Sequence, residues 1–168
     1  MNRIRTACLL VCLLVPAGPV LAAEEGGCSA FKWPLAREQA WLAAAHPSVS
    51  SGDSTPKPEG ALTLKLQPVD KVSFDPAPDR KPAAGSFGAT LAIGDVGQDG
   101  IYQVTLSDEA WVDVVQDGVK VKSSAFSGQK NCPGLRKSVR FKLKAGPAVL
   151  QISGAKAEQI NVAVGPAT

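Results

Sequence analysis

The segment Ala110-Trp-Val-Asp-Val-Val-Gln-Asp-Gly-Val-Lys-Val-Lys-Ser123 decides the fold. Two runs rich in valine meet at Asp117-Gly118, and a two-residue type I′ turn needs positive φ at both central positions, which Asp-Gly tolerates. The segment therefore predicts a β-hairpin. With Asp117 and Gly118 as its loop, Gln116 opposes Val119, Val114 opposes Val121 and Asp113 opposes Lys122. Alternation sends Val112, Val114, Val119 and Val121 to a core, and Trp111, Asp113 and Val115 to the other face with Lys120 and Lys122. On that face Trp111 is either covered by a helix from the N-terminal part of the chain or presented to a ligand.

Strand patterns continue on both sides of the hairpin. Leu62, Leu64 and Leu66 alternate through Ala61 to Gln67, and Phe87 to Ile93 has strand character. Tyr102, Val104 and Leu106 share a face, as do Val139, Phe141 and Leu143, and Val149 to Ser153 and Ile160 to Val164 complete the set. Asp95 to Gly100, Ser107 to Glu109 and Ala145 to Pro147 read as turns, and Ser124 to Leu135 as a loop. The proline-rich stretch Val69 to Gly85 reads as an irregular connection with one short edge strand at Lys71 to Phe74. Six to eight short strands spaced at roughly ten residues predict a mainly β chain, an antiparallel, jelly-roll-like β-sandwich over residues 61–168.

Upstream, Arg3 and Arg5 precede the apolar run Ala7 to Val15, then Pro16-Ala-Gly-Pro19 and a small-residue cleavage site near Ala22. That order predicts a cleaved signal peptide at residues 1–22 and a periplasmic or secreted protein. The apolar run is too short, and too broken by proline, for a membrane anchor, so no transmembrane segment is expected after cleavage. Cys28 follows Glu25-Gly-Gly and lacks the surroundings of a lipid-anchored cysteine. With Cys8 and Cys12 in the leader, Cys28 and Cys132 have only each other, and a structural disulfide is expected; a reactive or metal-binding pair would call for closer spacing. The remaining chain, about 145 residues, suits one domain.

Residues 23–47 predict an N-terminal segment with a helix, Leu35 to Ala45, started after Pro34 and stopped near His46-Pro47. Leu35, Gln39 and Leu42 with Ala36, Ala40 and Ala43 form its apolar stripe, and Trp33 and Trp41 serve packing or mark a binding surface. Tied by Cys28, this helix would cover one face of a sheet. Residues 48–60, rich in Ser, Pro, Gly and Asp, read as a linker or long loop in which no core forms.

Charge is segregated along the chain. Ala83 to Val119 carries six acids and no Lys or Arg, whereas Gly118 to Ala157 carries nine bases and no acid. Arg140, Lys142 and Lys144 alternate with core residues of one strand, and Lys120 and Lys122 repeat the pattern in the hairpin. If these strands are neighbours, the five residues form a basic ridge suited to an anionic polysaccharide or a lipid headgroup. Alternatively they solubilise strand faces and are partly neutralised by the acidic block, as Asp113 would be by Lys122. Removing the leader takes Lys+Arg, 18 against 15 Asp+Glu in the full chain, close to balance, so nucleic acid is not an expected partner.

Catalytic patterns are missing. The single histidine, His46, sits at a helix terminus, which leaves no ready triad or multi-histidine metal site. Asp95 to Gly100 departs from a calcium loop, with Gly97 where an oxygen ligand belongs. No metal or cofactor is expected. The expectation is a non-catalytic binding or accessory module, with an anionic envelope glycan, a lipid or an envelope protein as partner. A protein-interaction module using Trp111 or the helix tryptophans is the alternative. A hydrolase would need two of Asp95, Asp99, Asp108, Glu109 and Asp113 in one cleft.

Gly100-Ile-Tyr-Gln-Val-Thr-Leu106, Trp111-Val-Asp-Val-Val115 and Ser138-Val-Arg-Phe-Lys-Leu-Lys-Ala-Gly146 leading to Leu150-Gln-Ile-Ser-Gly154 resemble the strands of secreted bacterial jelly-roll modules of the pre-peptidase C-terminal type. The chain departs from that pattern in lacking its Asp-rich strand and any attached peptidase. Its layout is also similar to uncharacterised small exported proteins of Gram-negative bacteria, which implies a location and no activity.

Overall fold

A computed structural model describes residues 27–55 and 59–168. The signal peptide expected at 1–22, with Cys8 and Cys12, lies outside the described residues. The chain folds into one helix, α1 (Ala36–Ala43), and twelve strand segments among those residues: β1 (Ser48–Ser50), β2 (Ser54–Thr55), β3 (Gly60–Lys65), β4 (Gln67–Pro68), β5 (Phe87–Val96), β6 (Gly100–Leu106), β7 (Trp111–Gln116), β8 (Val119–Val121), β9 (Ser123–Gly128), β10 (Lys137–Leu143), β11 (Gly146–Ala155) and β12 (Gln159–Pro166). One sheet has the order β1-β3-β12-β6-β10-β9; the other runs β2-β5-β11-β7-β8, with β4 also on β5. Both are mixed, because β1 joins β3 and β2 joins β5 in parallel. The strands beyond the expected six to eight are mostly short ones.

The two sheets face each other in a sandwich-like arrangement. Leu64, Leu106, Phe141 and Ile160 of one meet Leu91, Val114, Leu150 and Ile152 of the other in a single core, all of them essentially inaccessible to solvent. These are the inward positions that alternation assigns.

The hairpin forms in the expected register. Asp117 (φ 52°) and Gly118 (φ 73°) make the turn, with Gln116 opposite Val119 and Val114 opposite Val121. Two of its details differ. β8 ends at Val121 because the chain then leaves this sheet for the other, where β9 begins, so Lys122 lies in the crossover and does not pair with Asp113. Val119, expected in the core, is 66% exposed; it follows the turn directly, on β8, the edge strand of its sheet.

The stretch expected as a linker or long loop, 48–60, contains the short strands β1 and β2 and the start of β3 among its described residues. β1 caps the edge of one sheet and β2 the same edge of the other, so one segment closes that side of the molecule. The first part of the loop expected at Ser124 to Leu135 belongs instead to strand β9 (Ser123–Gly128), paired with β10. Its Ser-Ser-Ala-Phe-Ser-Gly sequence lacks alternation because an edge strand has little core to face. The short edge strand expected at Lys71 to Phe74 is replaced by β4 and a 3-10 turn over Val69–Lys71.

Each sheet also has an outer cover. Cys28 is bonded to Cys132 across 104 residues, as expected, and the disulfide lies in a small cluster with Phe31, Leu35 and Leu135. From there the N-terminal segment crosses the outer face of the first sheet, where α1 meets β12 and β3. Of the expected stripe Leu35 is buried and Leu42 half-buried, but Ala36, Gln39, Ala40 and Ala43 are exposed; within the helix Glu38 is the buried residue and Arg37 and Trp41 are half-buried. The reason is the surface beneath, which is not the core. Trp41 lies flat over Gly165, where a side chain would come within 3.0 Å of the ring, and Arg37 stacks on Trp41 while donating to the Pro166 carbonyl. On the second sheet the proline-rich connection is the cover. Phe74 lies over Gly88, and Gln151 donates to the carbonyls of Asp75 and Pro76 at 3.2 Å.

Candidate functional site

Among the described residues no such segment closes the side of the molecule opposite β1 and β2. There β9 ends one sheet and β8 the other, and the gap between them opens a cavity of about 380 Å³. Val112 of β7 and Val139 of β10, inward residues of the two sheets, form its floor; Trp111 and Phe126 stand at its rim. Trp111 is 36% exposed and Phe126 63%. A second cavity, about 260 Å³, lies on the other side of Trp111 and is bounded by Arg80, Lys81, Pro82, Ser153 and Gly154. Trp111, Lys137 and Glu109 line both. A separate apolar cavity of about 450 Å³ sits under β1 and β2, with Glu59 as its titratable group.

Trp111 is oriented by chemistry on its own strand. Residues two apart in a strand share a face, and the Trp111 indole N–H donates to Asp113 Oδ1 at 3.0 Å. Asp113 Oδ2 accepts the Asp79 backbone N–H at 3.3 Å. The Asp113 carboxylate is nearly buried, and desolvation pushes its pKa above the ordinary carboxylate range, against the lowering effect of the Trp111 and Asp79 hydrogen bonds. Trp111 is therefore not under the N-terminal helix, which lies on the other sheet. It stands beside the proline-rich cover, half open.

The rim carries an excess of positive charge. Glu109 pairs with both Arg136 and Lys137, the latter at 3.4 Å, and Lys137 Nζ also donates to the Ala110 carbonyl at 2.7 Å. Lys137 Nζ lies 5.8 Å from the Trp111 ring centroid, and Lys32 Nζ lies 5.1 Å from that of Phe126. Both exposed rings thus carry an ammonium group within cation–π range. Arg80 and Lys81 are exposed and form no ion pair among the described residues. Across the two cavities four cations, Arg80, Lys81, Arg136 and Lys137, stand against one carboxylate, Glu109.

The five residues of the expected basic ridge are dispersed. Lys120 belongs to β8, and Arg140 and Lys142 to β10 of the other sheet, so the strands are not neighbours. Lys120 pairs with Asp79 and donates to the Ala77 carbonyl at 2.9 Å. Arg140 is a structural clamp: its guanidinium stacks 4.2 Å from the Trp33 ring and donates to Gln103 Oε1 and the Thr168 carbonyl. Lys144 donates to Asp99 at 2.8 Å, which raises the lysine pKa and lowers that of Asp99, helped by the Ala145 N–H. Lys122 and Lys142 are exposed and without ion pairs among the described residues.

His46 is held between the Ala44 carbonyl and the Thr63 hydroxyl. Among the described residues no group of three or more His, Cys, Asp and Glu side chains could hold a metal ion, and no helix is long and apolar enough to cross a membrane. Sequence reasoning singled out Trp111 but missed Phe126, Arg80, Lys81, Arg136 and Lys137 as its neighbours. Arg136 and Lys137 were visible within the basic block; Phe126 comes from the edge strand β9, and Arg80 and Lys81 from a connection whose position only the folded chain sets. No family model and no curated protein matches the chain.

Proposed function

We propose that the protein is an exported, non-catalytic binding module for an anionic component of the cell envelope, a glycan or a lipid, held at the open edge between β8 and β9. The observation that carries this is that the two cavities sharing Trp111 are lined by four cations, Arg80, Lys81, Arg136 and Lys137, and by one carboxylate, Glu109. An exposed aromatic platform, a cavity within the usual size range for small-ligand sites and convergent positive charge are together what such a ligand requires. The disulfide fits an oxidising compartment such as the periplasm. The repeated switching of consecutive strands between sheets, as from β5 to β6 and from β6 to β7, supports a jelly-roll-like scaffold.

The test is capture from envelope extract with the oxidised protein at low and high salt. Retention of an anionic glycan or lipid at low salt, its release at high salt, and its loss with Arg80→Ser/Lys81→Ser are expected, whereas Lys122→Ser/Lys142→Ser has little effect. Salt sensitivity follows because exposed charges are screened within about 8 Å at physiological ionic strength. Capture that ignores both salt and Arg80→Ser/Lys81→Ser would overturn the proposal. One observation favours a second reading: β9 is an uncovered edge with an exposed Phe126, a surface to which a partner protein could add a strand. Retention of a single protein regardless of salt is its signature.

A further inference from the structure

We infer that the ligand of the Trp111 site is an amphiphilic anion, an acyl chain bearing one carboxylate or phosphate, with the chain in the cavity between the sheets and the head among Arg80, Lys81 and Lys137. This rests on the reading that the site takes an anion, and adds which kind.

The two cavities that share Trp111 differ in character. The larger reaches the interlayer, where Val112 and Val139 offer no hydrogen-bonding group, and Trp111 and Phe126 extend that apolar surface outwards. Its cations are already engaged, Arg136 and Lys137 with Glu109 and Lys137 with the Ala110 carbonyl. The smaller cavity holds Arg80 and Lys81, which form no ion pair among the described residues, together with Lys137, whose ammonium lies 5.8 Å from the ring centroid. The hydrogen-bonding side chains of the larger cavity are Ser123 and the mutually paired Glu109, Arg136 and Lys137; a sugar seated on its floor would set hydroxyls against Val112 and Val139, and a buried unpaired hydroxyl is unfavourable. A methylene chain meets no such penalty and gains from leaving water. The Trp111 indole N–H is already bonded to Asp113, so the ring offers the chain an apolar face rather than a donor. A cavity floored by Val112 and Val139, joined by a fixed aromatic ring to a chamber that holds Arg80 and Lys81, is the complement of a tail joined to a charged head.

Isothermal titration of the oxidised protein with monomeric decanoate, butyrate, a neutral decanoyl glucamide and oligogalacturonate distinguishes the possibilities. One decanoate per chain is expected, bound at least about tenfold more tightly than butyrate or the neutral amphiphile, a difference titration resolves easily. Phe126→Ser, at an exposed position where folding is safe, should weaken decanoate but not butyrate. Arg80→Ser/Lys81→Ser should weaken decanoate and leave the neutral amphiphile unchanged. Vesicles of anionic phospholipid separate the sources of the same chemistry: binding of both vesicles and decanoate points to a membrane lipid, and decanoate alone to a free fatty acid. Vesicle binding without decanoate binding would overturn the inference, because surface charge then suffices. Oligogalacturonate binding with decanoate silent would also overturn it while leaving the anion-binding module intact. Silence from every anion would overturn both.

Discussion

Gly88 shows how a single position can hold a cover in place. A Cβ there would lie 2.7 Å from the Ile152 carbonyl oxygen of β11 and 3.0 Å from the Phe74 ring above. Gly88→Ala is expected to cost about 1–3 kcal/mol in urea denaturation, as overpacking against backbone does. Gly97→Ala, with open space around it, should stay within about 0.5 kcal/mol of the wild type. Asp113 makes a pH-dependent prediction. Its folded pKa is raised, first by burial, so the folded state holds that proton to a higher pH than the unfolded chain does. The resulting stability is present below the ordinary carboxylate range and is lost as pH rises through the raised value. Asp113→Asn retains an acceptor for the Trp111 indole and cannot ionise. Its stability relative to the wild type should therefore climb between acid and neutral pH, and a constant difference would contradict the assignment. At this scale the hairpin was readable from sequence, because turn type and alternation are local properties. The buried outward residues Gln103, Thr105, Ser138 and Gln151 were not, because they resemble solvent-facing polar residues until a cover is known.

The N-terminal segment illustrates the same point for elements. Its helix was legible from Pro34 and the good formers after it, but not the face it would use, since that depends on Gly165 and the Pro166 carbonyl more than a hundred residues away. Besides α1, its ties include the Cys28–Cys132 bond, the Trp33 indole donating to Ser138, the Lys32 N–H donating to Ser127 Oγ and the Gln129 side chain donating to the Ala30 carbonyl. A bridge closing a loop of this length contributes about 4 kcal/mol or somewhat more on the chain-entropy account. Cys28→Ser/Cys132→Ser should lose stability of that order in denaturant. Hydrogen exchange should place the earliest loss of protection in residues 27–47, ahead of β5, β6, β10 and β11. Equal loss across the core strands would mean that this cover is not a separate unit. β9 escaped sequence reading for a related reason: an edge strand exposed along most of its length carries no hydrophobic period.

For the whole molecule the decisive asymmetry is between its two edges. One is closed by β1 and β2 within a single segment; the other, between β8 and β9, is open and holds Trp111, Phe126 and the cationic rim. Charge segregation along the chain was visible in sequence, and the fold converts only part of it into a site. Lys120 and Lys144 are neutralised by Asp79 and Asp99, while Arg136 and Lys137 are delivered to the open edge. The two cavities that share Trp111 could not be read, because the walls of one come from β7, β9 and β10 and those of the other include the proline-rich connection, which sequence patterning does not place side by side. The most direct test is to follow backbone amide shifts of the oxidised protein as monomeric decanoate is added. Perturbations clustered at Glu109 to Val112, Ser123 to Gly128 and Arg136 to Val139, saturating at one ligand per chain and abolished by high salt, are predicted. Shifts centred on the cavity beneath β1 and β2, shifts centred on Lys142 and Lys144, or no saturable change at all, would contradict an anion site at the open edge.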